Sequence, residues 1–481
     1  MKRTTIYSRF HQQVEKYPEA TAVATDNEYI TYSSLDRRVD AILEKIGRDD
    51  ANPIGIVMTH GIDMIAAMLA VLKSGAAYVP AEPTLPKARI DYMMKRAGVG
   101  MIIDDEFCRD AEPADKVFED RSTPDGLAYI LFTSGTTGHP KGVRIENHSV
   151  VNYAEAFEAE FHSEPGDVML QYSVCSFDIF VEEVFTTLLN GVTLAIPPAS
   201  NDAGEINSLM EFVDRHKVTI ISGFPYLLAK INKLETIPPT LRLLISGGDI
   251  LRHTYIDRLC DRNIMIYNTY GPSETTVCAT YYRCDNVEPL EDGTYPIGKA
   301  IKGVKVKILD DFGFEPKKGE VGEICIYGEG VAEGYIGNPP EQCNFIRLHS
   351  GKYMYRSGDM GFVRPDGNLV FLHRRDKQVM ILGKRVEPEE VENILNSSPD
   401  VDKGIVRAFN DDCGLAYLVA YFVPSHPDFS LHDIKEHLRN DLSDFMIPEF
   451  FVEVKDIPVN ARGKVDMNAL PIVLKDNEIN D

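Results

Sequence analysis

The sequence predicts an α/β protein with mostly parallel sheets, followed by a β-rich region and a compact α+β unit. Three observations predict it. Short apolar runs alternate with amphipathic helical stretches over the first 290 residues or so, the pattern of a parallel sheet with helical crossovers. Beyond that point, glycine-punctuated alternating segments read as antiparallel strands with tight turns. From about residue 377 a third texture begins, roughly 100 residues of mixed strand and helix.

In chain order, residues 31–46 form an amphipathic helix with Leu35, Val39, Ile42 and Ile46 on one face, and Ser33 with Asp36 resembling a capping pair. Ile54–Met58 is a strand and Ile62–Leu72 a helix stopping near Gly75. Leu127–Phe132 is a buried strand, a helix begins at an Asn147 cap, and residues 168–172 are again a strand. A helix over 179–189 ends at Gly191, and Ile220–Ser222, Leu243–Ser246 and Ile264–Tyr267 are short strands. Val304–Leu309, Glu323–Tyr327, Gly361–Arg364 and Leu369–Leu372 make the β-rich region of about 290–375. The last unit holds Val379–Leu382, a helix at Pro388–Asn396, strands at 404–409 and 416–423, and a helix at 431–441. The division falls near His373-Arg374-Arg375-Asp376, giving domains of 1–375 and 376–481.

With 481 residues, 44% of them hydrophobic, the chain can bury a sizeable core in more than one domain. Its 74 acidic and 50 basic residues leave a charge of −24, which argues against nucleic acid or an anionic membrane as the main partner. The eight cysteines (108, 175, 260, 278, 284, 325, 343 and 413) include no CxxC pair, so reduced thiols are expected rather than disulfides or zinc. No apolar segment follows the basic N-terminus, and no run reaches membrane-spanning length, so a soluble cytoplasmic protein is expected.

Four stretches carry chemistry. Thr133-Ser134-Gly135-Thr136-Thr137-Gly138-His139-Pro140-Lys141-Gly142 follows a strand with glycines and hydroxyls that can cradle an anion, and Lys141 adds positive charge. It is not a GxxxxGK[ST] loop, since no Ser or Thr follows Lys141; a polar surface turn is the other reading of this stretch alone. In Tyr270-Gly271-Pro272-Ser273-Glu274-Thr275-Thr276 the tyrosine ring can lie on a flat base and Glu274 can hold Mg²⁺ through hard oxygen, or the segment can be a turn into a helix. In Tyr355-Arg356-Ser357-Gly358-Asp359-Met360-Gly361 the aspartate can accept from two ribose hydroxyls or simply stabilise a turn. Arg462-Gly463-Lys464-Val465-Asp466 places a lysine on a loop, where a solvated charge is the common outcome.

In this order, these stretches resemble the adenylate-forming superfamily over nearly the whole chain. The resemblance also takes in Leu72–Pro80, Ser176-Phe177-Asp178, Gly322-Glu323-Ile324, Gly334-Tyr335, Asp376-Lys377-Gln378-Val379 and Phe445-Met446-Ile447-Pro448. Phe177-Asp178 points to the amino-acid-activating branch, the adenylation domains of nonribosomal peptide synthetases, in which an aspartate here binds the substrate α-ammonium group. The resemblance implies a large N-terminal domain with two mainly parallel sheets and a small mobile C-terminal domain hinged at Asp376.

It further implies the chemistry: ATP and Mg²⁺ as cofactors, with Lys464, Glu274, Thr133 and Lys141 as catalytic groups. Nucleotide contacts are implied at Thr133, Ser134, Gly135, Thr136, Thr137, Gly138, Lys141, Gly247, Gly248, Asn268, Thr269, Tyr270, Gly271, Glu274, Thr275, Asp359, Arg374 and Lys464. Tyr270 would stack on adenine, Glu274 bind the metal, Asp359 the ribose, and Lys464 bridge the attacking carboxylate and the α-phosphate. Three departures stand out: His139 for a lysine before Pro-Lys-Gly, His373 for a glycine before Arg374, and Val386–Glu392, which is similar to the CoA-ligase version of that segment.

The amino-acid pocket implied by the resemblance is Asp178, Ile179, Glu182, Ser222, Ile245, Gly247, Thr269, Val277, Cys278 and Lys464. At about 100° per residue, Phe180, Val181, Val184, Phe185 and Leu188 form an apolar face. Glu183 lies opposite, where solvent is expected, and Glu182 lies one turn beyond Asp178 on the same side. A second carboxylate beyond an apolar shaft suits lysine, with ornithine, β-lysine or another diamino acid also open. No carrier-protein or condensation motif is seen, so a freestanding enzyme loading a separate phosphopantetheinyl carrier protein is expected. The alternatives are an acyl- or aryl-CoA ligase and a catalytically silent nucleotide-binding member.

Overall fold

The computed structural model describes residues 3–47, 52–111, 116–135, 139–198, 206–338, 344–411, 414–458, 465–466, 469–473 and 475. They fall into two compact units. The first comprises Met1–Pro83, Met94–Phe132 and Gly142–Arg375; the second Thr84–Met93, Thr133–Lys141 and Asp376–Asp481.

The α/β reading holds. In the first unit, a nine-stranded sheet runs in the order 299–300, 280–283, 265–270, 243–246, 220–223, 168–170, 193–195, 21–24, 29–31. Its six central strands are parallel, and antiparallel strands close both edges. Helices on a parallel sheet cover both faces, so its strands are apolar throughout; Ile220–Gly223 and Leu243–Ser246 are buried at every position. A six-stranded sheet carries Ile54–Ile56, Tyr78–Pro80, Met101–Ile103 and Leu127–Thr133, with Lys141–Glu146 and Gly334–Tyr335 at one side. The β-rich region is an antiparallel sheet built on Val304–Leu309, Gly322–Gly328 and the long strand Tyr353–Val363, which pairs with Leu369–Arg374. In the second unit, Val401–Asn410, Ala416–Pro424 and Phe450–Glu453 form a three-stranded sheet, with helices at Pro388–Asn396 and Leu431–Asp441.

Local signals decide most helix ends. The Ile62–Ser74 helix stops at Gly75, whose φ of 89° opens the left-handed turn that side chains resist. The Tyr32–Ile46 helix is capped by Thr31, which accepts from the Ser34 N–H, and not by Ser33 with Asp36. Asn147 is the first helical residue rather than the cap; its amide accepts from the Ile6 N–H and donates to the Gly126 carbonyl, fastening the N-terminal Ile6–Lys16 helix.

The stretch read as a helix over 179–189 is helical from 178 to 188, with a π-turn, Glu182–Thr186, inside it after the first α-turn, Asp178–Val181. Every residue from Ile179 to Val192 is buried, Glu183 fully so. Solvent was expected at Glu183, and the structure overturns that: the chain at Gln171–Ser173 covers the face opposite the apolar stripe. Helical periodicity orders residues around an axis, but only the packing of other segments sets which sides meet water.

Candidate active site

The parallel strands of the nine-stranded sheet end side by side, the place where open α/β sheets bind ligands. Ser222 is in register with Ile245, and Ser246 with Asn268. The next residues form the site floor: the Gly247 N–H donates to the Gly223 carbonyl, and the Thr269 hydroxyl to the Ser246 carbonyl at 3.2 Å. A methyl group on Gly247 would stand 2.7 Å from Thr269 Oγ1, so glycine preserves depth there. Gly271 is required more strictly, because an added Cβ would meet Cys278 Cα and the Val277 carbonyl oxygen at 2.6 Å. Thr276 and Val277 both take positive φ, 61° and 64°, costly for residues with a Cβ and common where a backbone is held for function.

Asp178 opens its helix, and Glu182 follows one turn later, 1% exposed. The Tyr153 hydroxyl donates to Glu182, as does Ser222. Burial pushes the Glu182 carboxyl up to about 7; the Ser222 and Tyr153 bonds oppose that shift, and the Asp178 charge adds to it. Cys278 lies within electrostatic reach of Glu182 and Asp178 and bonds Thr269, so the structure brings Asp178, Glu182, Ser222, Thr269 and Cys278 together. Among the described residues, no lysine or arginine pairs with Glu182. Ile179, Ile245 and Val277 are buried apolar neighbours of these groups in the chain or sheet.

Glu183 points elsewhere. It accepts from the Ser173 N–H, the Ser173 hydroxyl (2.9 Å) and Gln171 Nε2 (3.2 Å). Burial raises its carboxyl to about 8 against those donors. Gln171 continues to His60 Nδ1 at 2.8 Å, and His60 Nε2 to Glu82 at 2.8 Å. Burial opposes a charge on His60, but Glu82 outweighs it and holds the imidazole pKa up. This chain of bonds fastens the segment that leads into Asp178.

A second group gathers around Asp359. The Tyr270 hydroxyl donates to one carboxylate oxygen at 2.5 Å, and Arg374 pairs with the other at 2.6 Å from the facing strand position. The Asp359 N–H donates to the Ser357 hydroxyl at 3.0 Å. Glu274 is fully buried in the Ser273–Thr275 turn and accepts from the Tyr335 hydroxyl at 2.6 Å; Thr275 closes that turn, and Asn268 bonds the Pro296 carbonyl at 2.9 Å. A single buried carboxylate of hard oxygens fits a Mg²⁺ that takes its other ligands from phosphate and water.

The anion-loop residues belong to the second unit. Thr133 has a buried hydroxyl with no hydrogen-bond partner among the described residues, and Ser134 donates to the Arg385 carbonyl at 3.1 Å. The Gly135 N–H donates to the Glu390 carboxylate at 3.2 Å, so this backbone donor already holds an anion; Glu390 also pairs with Arg89 at 3.0 Å. Lys141 opens the Lys141–Glu146 strand. Asp376 is the first residue of the C-terminal segment in that unit. Thr136, Thr137, Gly138 and Lys464 lie outside the described residues. The sequence reading missed Tyr153, Glu183 and His60 as neighbours of the site; Tyr153 had no local signal, since only the packing of two helices brings it to Glu182.

Beside these parallel strand ends stand the half-buried Asp178 and the buried Glu182, both on one helical segment, with the Tyr270–Asp359–Arg374 cluster on the same unit. Comparison with known proteins identifies the family. The family model "AMP-binding enzyme" matches residues 10–336, and "AMP-binding enzyme C-terminal domain" matches 390–464. Bacitracin synthase 2 of Bacillus licheniformis is 34% identical over 490 residues, covering 98% of this chain and 19% of that protein. The chain thus spans about a fifth or less of the length of the curated relatives it matches. Two solved structures share the fold. The artificially fused adenylation–PCP di-domain NpsA-ThdA from Klebsiella oxytoca has a TM-score of 0.86 at 22% identity, covering 94% of each chain. The Vibrio cholerae adenylation domain AlmE, in complex with glycyl-adenosine-5'-phosphate, has a TM-score of 0.83 at 21% identity, covering 96% of each. This chain belongs to the AMP-binding enzyme family, matching both the enzyme model and the C-terminal domain model of that family.

Six described cysteines are free thiols, and no helix among the described residues is long and apolar enough to cross a membrane.

Proposed function

We propose that this chain activates a basic amino acid, L-lysine or a related diamino acid, as its aminoacyl adenylate. The substrate carboxylate attacks the α-phosphorus of ATP, a new O–P bond forms, and the bond to the β-phosphate oxygen breaks to release pyrophosphate. The thiol of a carrier-protein phosphopantetheine then attacks the acyl carbon and expels AMP.

The observation that carries the substrate assignment is the pair Asp178 and Glu182. An amino acid offers one ammonium at its α-carbon, for Asp178. Glu182 is buried beside hydroxyl donors and Asp178, with no lysine or arginine partner among the described residues, so its ionised form is costly unless a cation arrives. A distal ammonium supplies that cation, and Ile245, Val277 and Gly247 suit the methylene stem between the two charges.

Bringing a carboxylate to a triphosphate sets anion against anion, so positioning and positive charge supply most of the catalysis. In this reading Lys141 and the Thr133–Gly138 loop hold the β- and γ-phosphates. Tyr270 stacks on adenine, with Gly247, Gly248, Asn268, Thr269, Gly271 and Thr275 around it. Asp359 takes the ribose, Arg374 the ribose or a phosphate, and Lys464 bridges the reacting groups. Mg²⁺ held by Glu274 would neutralise phosphate charge. Residues 376–481 are the small mobile domain, hinged at Asp376, and Asp359 is already oriented by Tyr270 and Arg374.

Amino-acid-dependent pyrophosphate exchange across a substrate panel tests this. Lysine or ornithine should lead the panel, and Glu182→Gln should lose those substrates by about 100-fold or more in kcat/KM while neutral ones change little. A panel led by neutral amino acids would overturn the substrate assignment. Offering CoA and a carrier protein in parallel decides the acceptor.

A further inference from the structure

Glu182 is gripped by a residue that no motif contains. Tyr153 stands on the Asn147–Phe161 helix, 2% exposed, and its hydroxyl donates to Glu182 Oε2. Its ring meets Tyr281 edge-on with centroids 6.4 Å apart, which fixes its plane. Ser222 donates to the same carboxylate from a strand of the nine-stranded sheet. A carboxylate bonded by two hydroxyls keeps its orientation, yet neither donor cancels its charge as a lysine or arginine would. That arrangement suits a pocket whose cation comes with the ligand.

We infer that Tyr153 is a positioning residue for substrate selection, its hydroxyl aiming the Glu182 carboxylate at the distal ammonium of a diamino acid. The inference rests on the basic-substrate reading and adds to it a residue outside the Asp178 helix. The groups facing Glu182 are Tyr153 from its helix, Ser222 from its strand, Asp178 from the same helix, Cys278, and Tyr281 from the Thr280–Arg283 strand. Asp178 disfavours an ionised Glu182, whereas the two hydroxyl bonds favour it. Removing the tyrosine hydroxyl therefore makes Glu182 harder to ionise, and a cationic side chain loses its partner at neutral pH.

The test compares wild type, Tyr153→Phe, Glu182→Gln and the double variant in pyrophosphate exchange with lysine, ornithine and the best neutral amino acid of the panel. Tyr153→Phe should raise KM for the basic substrates by about tenfold or more, as expected for a lost hydrogen bond to a charged group. Its kcat and its KM for ATP should stay within about twofold, which also shows that the variant is folded. The acidic limb of kcat/KM for lysine should move to higher pH. In the Glu182→Gln background the same change should add nothing. Equal losses for every amino acid, or losses that persist without Glu182, would reduce Tyr153 to a packing residue and overturn the inference. A wild type that ignores basic amino acids overturns the substrate reading and this inference together, before any variant is made. A lysine-selective wild type with an indifferent Tyr153→Phe overturns this inference alone.

Discussion

At the scale of single residues, two adjacent glutamates have opposite tasks. Glu182 neighbours Asp178, Ser222 and Cys278, the groups of the proposed amino-acid pocket, and Glu183 holds the segment behind it. Burial raises both, and in the proposed reading only Glu182 meets a substrate. Its carboxyl, pushed up to about 7, is neutral below that pH and cannot pair with an ammonium. The kcat/KM of the free enzyme for a diamino acid should therefore climb as pH rises through about 7 and level off above it. A neutral amino acid of similar length should lack that limb. Parallel pH profiles in the exchange assay measure the difference, and two superimposable profiles would remove Glu182 from substrate recognition.

At the scale of elements, the π-turn Glu182–Thr186 and the buried bond chain beneath it shape the approach to Asp178. Glu183→Ala would leave the Ser173 N–H and hydroxyl and the Gln171 amide without their acceptor, at a cost of about 2–4 kcal/mol in urea unfolding near pH 6. The pH dependence has a definite sign. Burial raises the Glu183 carboxyl to about 8, above its ordinary 4.5, so the native state binds the proton more tightly. Its stabilising effect is full below the unfolded value and is lost as pH rises toward about 8. The variant should flatten that part of the stability profile, and an unchanged slope would place the titration on another group. Because the same bonds fasten the chain leading to Asp178, KM should rise for all amino acids alike, unlike the selective effect at Glu182.

At the scale of the whole molecule, the chain forms two compact units, and Asp376 begins the C-terminal segment of the second. If that residue is the hinge between the two half-reactions, stiffening it should separate them. Asp376→Pro should keep pyrophosphate exchange within a few-fold of wild type and slow thioester formation on the carrier by about tenfold or more. Radiolabelled amino acid captured on carrier protein measures the second step. Equal loss of both steps would deny the hinge, and retention of both would show that adenylation and transfer need no rotation there.

Much of this was legible in the residues. The strands at 127–133, 220–223, 243–246 and 304–309, and the helices at 388–396 and 431–441, follow from apolar runs, alternation and glycine or proline ends, all of them local signals. The order of short motifs along the chain was enough to indicate the family, because chemistry on a shared nucleotide constrains residue type and spacing together. The three-dimensional packing decided what local signals cannot carry. It placed Thr31 rather than Ser33 at a helix cap, buried Glu183 under Gln171–Ser173, and set the Tyr153 hydroxyl against Glu182 from 29 residues away. Periodicity orders side chains around one axis, but solvent, burial and hydrogen-bond partners depend on what the rest of the chain lays against each side of it.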